Sequence, residues 1–155
     1  MALLGRCGPG DIAVDAVLVI DTSAHMAERD GEVARLDLAK WKAAGVLGAL
    51  SEGSDDRAAI VTAGDVAVLR APFSRPADQR PLVDGLSAER ATSPATPIDV
   101  ALMLARAELG RARPTAAKLI VVISDGRAWP ASSSVSALMR HWMATPCDAG
   151  GCAGS

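Results

Sequence analysis

Val17-Leu18-Val19-Ile20-Asp21-Thr22-Ser23-Ala24-His25-Met26 is the stretch on which the reading of the whole chain depends. Val17 to Ile20 are consecutive large aliphatic residues without alternation. That pattern predicts a strand buried on both faces, as in a parallel sheet covered by helices on each side, and such a strand sits near the middle of its sheet. At its carboxyl end the polarity inverts to a carboxylate, two hydroxyls and an imidazole. In open α/β sheets ligands bind in the crevice beyond the strand carboxyl ends, and a carboxylate with hydroxyls there suits a hard cation.

Working outward, Glu28 to Gly31 reads as a polar loop. Leu36, Ala39, Ala43, Val46, Leu47 and Leu50 then recur at steps of three and four, which predicts an amphipathic helix stopped near Ser51 to Gly53. Arg35, Asp37, Lys40 and Lys42 fall on its polar face, and Trp41 is expected to cap a core edge. Ala58 to Ala63 reads as a short buried strand, Gly64-Asp65 as a tight turn, and Val66 to Leu69 as a strand returning antiparallel. Between Pro72 and Arg90 the prolines at 76 and 81 oppose a long helix, while Leu82, Val83 and Leu86 suit a short one. After a loop over Ala91 to Ala95, Thr96 is placed as an N-cap and Pro97 at the first helical position; Ile98, Leu102, Ala105 and Leu109 form the buried stripe before Gly110. Leu119 to Ile123 is a second fully apolar strand, and it delivers Asp125 to the same sheet edge as Asp21 because strands joined in this β-α-β order run parallel.

Asp21-Thr22-Ser23-Ala24-His25-Met26 resembles the opening motif of the von Willebrand factor type A (vWA) family, Asp-x-Ser-x-Ser followed by Met, with His25 in place of the second Ser. Thr96-Pro97-Ile98-Asp99-Val100-Ala101-Leu102 is similar to the family's Thr-x-(Ile/Leu)-x-x-Ala-Leu, and Ile123-Ser124-Asp125-Gly126 to its strand-(Ser/Thr)-Asp-Gly. The three occur in the family's order from about Ala13 to Arg127. Asp21 to Arg29 with Leu36-Asp37-Leu38-Ala39-Lys40 and the Asp56-Arg57 entry to the next strand is most similar to bacterial membrane-linked, BatA-like members of the aerotolerance group; Thr96-Pro97 and Asp125-Gly126-Arg127-Ala128 also resemble magnesium-chelatase-type vWA domains. The resemblance implies a doubly wound, Rossmann-like α/β fold, mostly parallel, with one antiparallel edge strand and helices on both faces. It also implies further strands after Gly126, and the short remainder holds no aliphatic run. The expectation is therefore an N-terminal extension over 1–12, a partial vWA domain over 13–144 with its last strands missing, and a flexible tail over 145–155. Ser132 to Met143 reads as a helix packing Val135, Leu138, Met139 and Trp142, and the Leu119 to Ile123 strand is left as an apolar edge.

By the same resemblance the chain is a non-enzymatic protein-interaction module carrying a metal-ion-dependent adhesion site (MIDAS). Ser23 and Thr96 would supply hydroxyl oxygens to Mg²⁺ or Mn²⁺, and Asp21 and Asp125 would lie in or just behind the shell, orienting bound waters. A free coordination position would receive an Asp or Glu side chain of a partner protein, because uncharged hydroxyl ligands leave the cation electron-poor. His25 stands where the family's second Ser would coordinate. Imidazole suits Zn, Ni, Cu or Fe better than Mg²⁺. Three outcomes follow: His25 turns away and water completes a weaker site, the site is dead and the domain a metal-free scaffold, or His25 recruits a transition metal. Each ligand also has an ordinary reading: Thr96 and Ser23 as helix caps, Asp21 as a solvated strand end, Asp125-Gly126 as a turn.

An enzymatic alternative comes from a second resemblance. A strand ending in Asp21, a later Thr96, Lys118 before a strand and Ser124-Asp125-Gly126 are similar to haloacid-dehalogenase-like phosphatases, whose first Asp attacks phosphorus. Those enzymes carry a general-acid Asp two residues after the nucleophile, where this chain has Ser23. The sequence therefore favours a module without catalytic residues.

The bulk properties agree. At 155 residues the chain is one domain by size, and 16 basic against 18 acidic residues, a net charge of −2, do not point to nucleic acid or an anionic membrane as partner. No apolar run is long enough to span a bilayer, and Met1 to Gly10 has no apolar core of a secretory signal, so the chain as given reads as soluble with its compartment unknown. Cys7, Cys147 and Cys152 form neither a metal-finger spacing nor a dense disulfide framework and read as free thiols; the family resemblance offers a terminus-to-terminus disulfide as the alternative.

Overall fold

The computed structural model describes residues 12–51, 55–89 and 98–126. Thr96, the cysteines, the helix expected over Ser132 to Met143 and the tail lie outside these residues. In chain order the elements are β1 (Val14–Asp21), a single 3-10 turn (Ala24–Ala27), β2 (Arg29–Asp30), β3 (Val33–Ala34), α1 (Arg35–Ser51), β4 (Arg57–Ala63), β5 (Ala67–Ser74), α2 (Pro76–Asp84), α3 (Ile98–Leu109) and β6 (Ala117–Ile123).

The main sheet has the order β5-β4-β1-β6. β1 runs parallel to both β4 and β6, while β5 returns antiparallel on β4. This is the mostly parallel α/β sheet with one antiparallel strand that the sequence implies. Its centre is built by the alternation of β1 between two cores. Ala16, Leu18 and Ile20 pack with Leu36, Ala39, Ala43, Leu47 and Leu50 of α1 and with Val83 of α2. Val17 and Val19 pack on the other face with Ile98, Ala101, Leu102 and Ala105 of α3. A strand with apolar partners above and below can place no polar residue at either parity, and this is why its interior shows no period of two.

Several local details differ from the sequence reading. The loop expected over Glu28 to Gly31 is part of a small hairpin, in which Arg29 pairs with Ala34 and Asp30 with Val33. Gly31 turns it at φ +69°, a conformation that a side chain resists. Trp41, expected at a core edge, is 74% exposed. The antiparallel strand begins at Ala67 and runs on to Ser74. The prolines do not prevent a helix over 76–84: Pro76 occupies its first turn, where an N–H is not needed, and Pro81 is accommodated inside it. Gln79 fixes that helix to the sheet, since its buried amide donates to the carbonyls of Ala58 and Pro72 and to Ser74 Oγ where the β4–β5 register shifts.

The two ends of the sheet have different chemistry. At the amino edge Asp15 is fully buried between Arg57 and Arg113. At the carboxyl edge Ile20 is level with Ile123 and Asp21 with Ala63. The residues that follow β1 and β6, Thr22-Ser23 and Ser124-Asp125, therefore leave the sheet side by side.

Candidate metal centre

Asp21 ends β1 with 0% exposure. One carboxylate oxygen accepts the Ser23 backbone N–H at 2.9 Å, closing a tight turn, and the other accepts the Ser124 hydroxyl at 2.8 Å. The second bond ties the ends of β1 and β6 together across 103 residues of sequence. Both donors are neutral, and among the described residues no cation pairs with this buried carboxylate. An ionised carboxylate without a counter-charge is costly to bury, so a cation beside it is electrostatically favoured.

Ser23 is 6% exposed and its Oγ is buried with no hydrogen-bond partner among the described residues. It stands immediately before the 3-10 turn but makes no side-chain cap to it. Buried hydroxyls are almost always satisfied, so an orphan on this edge marks an oxygen free to donate its lone pairs elsewhere. Asp21 is thus not a solvated strand end, and Ser23 holds the N-cap position of the turn without a side-chain cap bond.

The neighbouring Thr22 is locked in place. Its N–H donates to Ala63 O at 2.8 Å, its carbonyl accepts Glu89 N–H at 2.8 Å, and its hydroxyl lies 3.4 Å from Glu89 Oε1. Glu89 also accepts the Asp65 N–H and a guanidinium N–H of Arg70. The loop after α2 is thereby held against the turn that carries Ser23. Glu89 has no motif signal in the sequence, and its role is visible only in the fold.

His25 lies outside this arrangement. Its side chain is 50% exposed and Nδ1 is 3.3 Å from Glu28 Oε1. Asp125 is mostly buried, with 10% of its side chain exposed, and accepts a hydrogen bond from Arg35 Nη1 at 3.0 Å. Gly126 follows at φ +84°, and its N–H donates to Ser124 Oγ, the same hydroxyl that reaches Asp21. Arg35 opens α1 and also contacts Glu28 and Asp30. Its hydrogen bond with Asp30 raises the already high guanidinium pKa against the opposing effect of burial, with the charges of Asp30, Glu28 and Asp125 adding to the rise. In the sequence Arg35 is one charge on a polar helix face, because nothing local announces a partner 90 residues away.

The fold thus brings Asp21, Ser23 and Asp125 to one sheet edge, adds Ser124 and Arg35, and leaves His25 on the exposed rim; Thr96 lies outside the described residues. Beside the centre, Met26, Leu38, Ala39 and Ile123, with Asp30, Arg35, Lys42, Ser124 and Asp125, line a cleft of about 460 Å³. A group of three or more His, Cys, Asp or Glu side chains gathered as a metal cage does not occur among the described residues. The donor set is instead one of hydroxyl and carboxylate oxygens on a buried edge, and its unpartnered Ser23 Oγ fits a hard divalent cation that keeps part of its water.

Residues 16–127 match the sequence profile of the von Willebrand factor type A domain. The chain belongs to this family. Among solved structures, this vWA domain is similar to an aerotolerance-related membrane protein of Bacteroides fragilis, at 20% identity and a TM-score of 0.68 over 85% of this chain and 64% of that one. BatB of Bacteroides thetaiotaomicron, a conserved hypothetical protein, gives 20% identity and a TM-score of 0.65 over 75% and 55%. The vWF domain of the type V pili tip protein Mfa5 of Porphyromonas gingivalis gives 23% and 0.59 over 74% and 38%. At these identities the likeness is one of fold. The vWA chain spans 55% of the length of BatB and 64% of that of the aerotolerance-related protein. No curated protein matches it significantly. Among the described residues no helix is long and apolar enough to cross a membrane.

Proposed function

We propose that this vWA domain is a non-enzymatic protein-interaction module that receives an Asp or Glu side chain of its partner through a Mg²⁺ or Mn²⁺ ion. The observation that carries the reading is the buried, unpartnered Ser23 Oγ beside Asp21, a buried carboxylate bonded only to neutral donors among the described residues. Ser23 and Thr96 would hold the ion by their hydroxyls, with Asp21 and Asp125 behind its waters. When bound, the ion supplies an electron-poor position for a carboxylate. Asp21 keeps the Ser23 turn closed, and Ser124 holds Asp21 to β6. Glu28 takes up the His25 ring, so that position contributes no ligand and coordination is weaker than with a second Ser.

A phosphatase reading needs Asp21 as a nucleophile open to substrate, and its 0% exposure with both oxygens hydrogen-bonded argues against that role.

Titration calorimetry with Mg²⁺ and Mn²⁺ tests the proposal. Wild type is expected to bind modestly, Asp21→Ala and Asp125→Ala to lose most of the affinity, and His25→Ser to gain about tenfold, some 1.4 kcal/mol. Wild type and His25→Ser both indifferent to divalent ions would mean a metal-free scaffold.

A further inference from the structure

Arg35 and Asp125 form an ion pair that is nearly closed to solvent, their side chains 14% and 10% exposed. Arg35 Nη1 has two N–H bonds, and both are engaged: one to Glu28 Oε2 at 2.8 Å and one to Asp125 Oδ2 at 3.0 Å. Nε and Nη2 turn to Asp30 at 3.1 to 3.3 Å. The Arg35 backbone is fixed as well, its N–H donating to Glu28 O at 2.9 Å at the root of the hairpin. A fixed positive charge therefore stands at the mouth of the candidate metal centre, on one of its carboxylates.

We infer that Arg35 is a tethered cation that competes with the divalent ion for Asp125 and so sets how tightly this site holds metal. The inference rests on the reading of the site given under Proposed function. Its physical basis is direct. In an ion-free chain the guanidinium keeps Asp125 from being a buried carboxylate without counter-charge. When a dication arrives, the same guanidinium repels it, and one Asp125 oxygen is already shared. Arg35 has a second resting place, because Glu28 and Asp30 are 44% and 59% exposed and remain as its partners after Asp125 is released. The hairpin over 29–34 then acts as the holder of a cation with two positions: shared with Asp125, or held by Glu28 and Asp30 alone. A water of the ion has to take the place of Arg35 on Asp125, which makes the ion's hold on the site weak until a partner carboxylate adds its negative charge.

Calorimetric titration of Mn²⁺ into wild type and Arg35→Gln at one ionic strength, with circular dichroism to establish that both are folded, reads the competition. Arg35→Gln is expected to bind about tenfold or more tightly than wild type, since one repelling unit charge is removed. Equal or weaker binding by the folded variant would overturn the competition while leaving the ion site standing. Absence of binding in both proteins would remove the ion site, and the competition with it. A measurement on wild type alone covers the case in which Arg35→Gln does not fold. The Arg35 Nε–H resonance in a ¹⁵N-labelled sample is expected to shift as Mg²⁺ saturates the protein, and a resonance that stays in place at saturation would overturn the inference.

Discussion

Leu18→Ala is expected to destabilise the domain by about 3 to 4 kcal/mol, within the range of Leu-to-Ala losses where the surroundings cannot close on the gap. Leu18 is 0% exposed at the centre of β1, between Ile60 of β4 and Val121 of β6. It packs on α1 through the cluster that contains Leu47, Ala43 and Met26. Both neighbouring strands are fixed to β1 by parallel ladders, so neither can move sideways to fill the space left by the missing methyls. The helix above is held by its own contacts with the same strands. A loss of this size is a large part of the roughly 5 to 15 kcal/mol by which a domain is ordinarily stable. Urea denaturation of wild type and variant reads it as a fall in midpoint with little change in slope. Met103→Ala serves as the control: Met103 is 61% exposed on α3, and its truncation is expected to cost no more than about 0.5 kcal/mol.

The second large effect lies at the opposite end of the sheet. Asp15 has 0% exposure and accepts hydrogen bonds from Arg57 at 2.6 and 3.0 Å, from the Arg113 guanidinium at 2.7 and 3.2 Å, and from the Arg113 backbone N–H at 2.7 Å. Arg57 also lies over the Phe73 ring, 5.1 Å from its centre, and Arg113 reaches Asp55 O. One carboxylate thus joins β1, β4 and the turn before β6. Asp15→Ala is expected to cost about 3 kcal/mol, the lower end for removing one member of a buried ion pair, because Arg57 and Arg113 are 30% and 29% exposed and recover some hydration.

This effect carries a pH signature. Burial alone would raise the Asp15 pKa, but the hydrogen bonds from Arg57, Arg113 and its backbone N–H outweigh burial and hold the carboxyl well below its ordinary value of 3.8. The folded chain therefore binds this proton less readily than the unfolded chain. The resulting stability is fully present above about pH 4 and is lost as the pH falls further, toward and through the depressed folded value. The difference in stability between wild type and Asp15→Ala is expected to be constant from pH 7 to pH 5 and to narrow below pH 4. Denaturation series at these pH values check it, and a difference that widens in acid would contradict the assignment.

How much of this was legible in the sequence follows from how local each signal is. Val17 to Ile20 announce a strand with two buried faces because burial on both sides removes every polar position, and that is enough to place β1 between two neighbours. From the parallel order follows the meeting of Asp21 with the turn after Ile123, which the register reproduces. The three-and-four spacing of Leu36, Ala39, Ala43 and Leu47 finds α1 for the same reason. What the sequence hides is pairing at a distance. Asp15 is a lone carboxylate at the start of an apolar run, and its partners are 42 and 98 residues away. Arg35 is one of several charges on α1, and Glu89 stands in a stretch with no pattern at all. The hairpin over 29–34 has two-residue strands, too short for any alternation to show. Trp41 is exposed rather than at a core edge because an aromatic residue in a helix shows only its size in the sequence, while exposure is decided by which neighbours the fold supplies.

The Ser23 hydroxyl, without a partner among the described residues, and the buried Asp21 beside it are the observations behind the proposed ion site. The most direct measurement is an anomalous difference map from crystals of the protein grown with Mn²⁺. The account predicts a peak about 2 Å from Ser23 Oγ, the contact distance of a small hard cation to an oxygen ligand. A fully occupied map with no peak at Ser23, or with manganese bound only elsewhere on the surface, would contradict it.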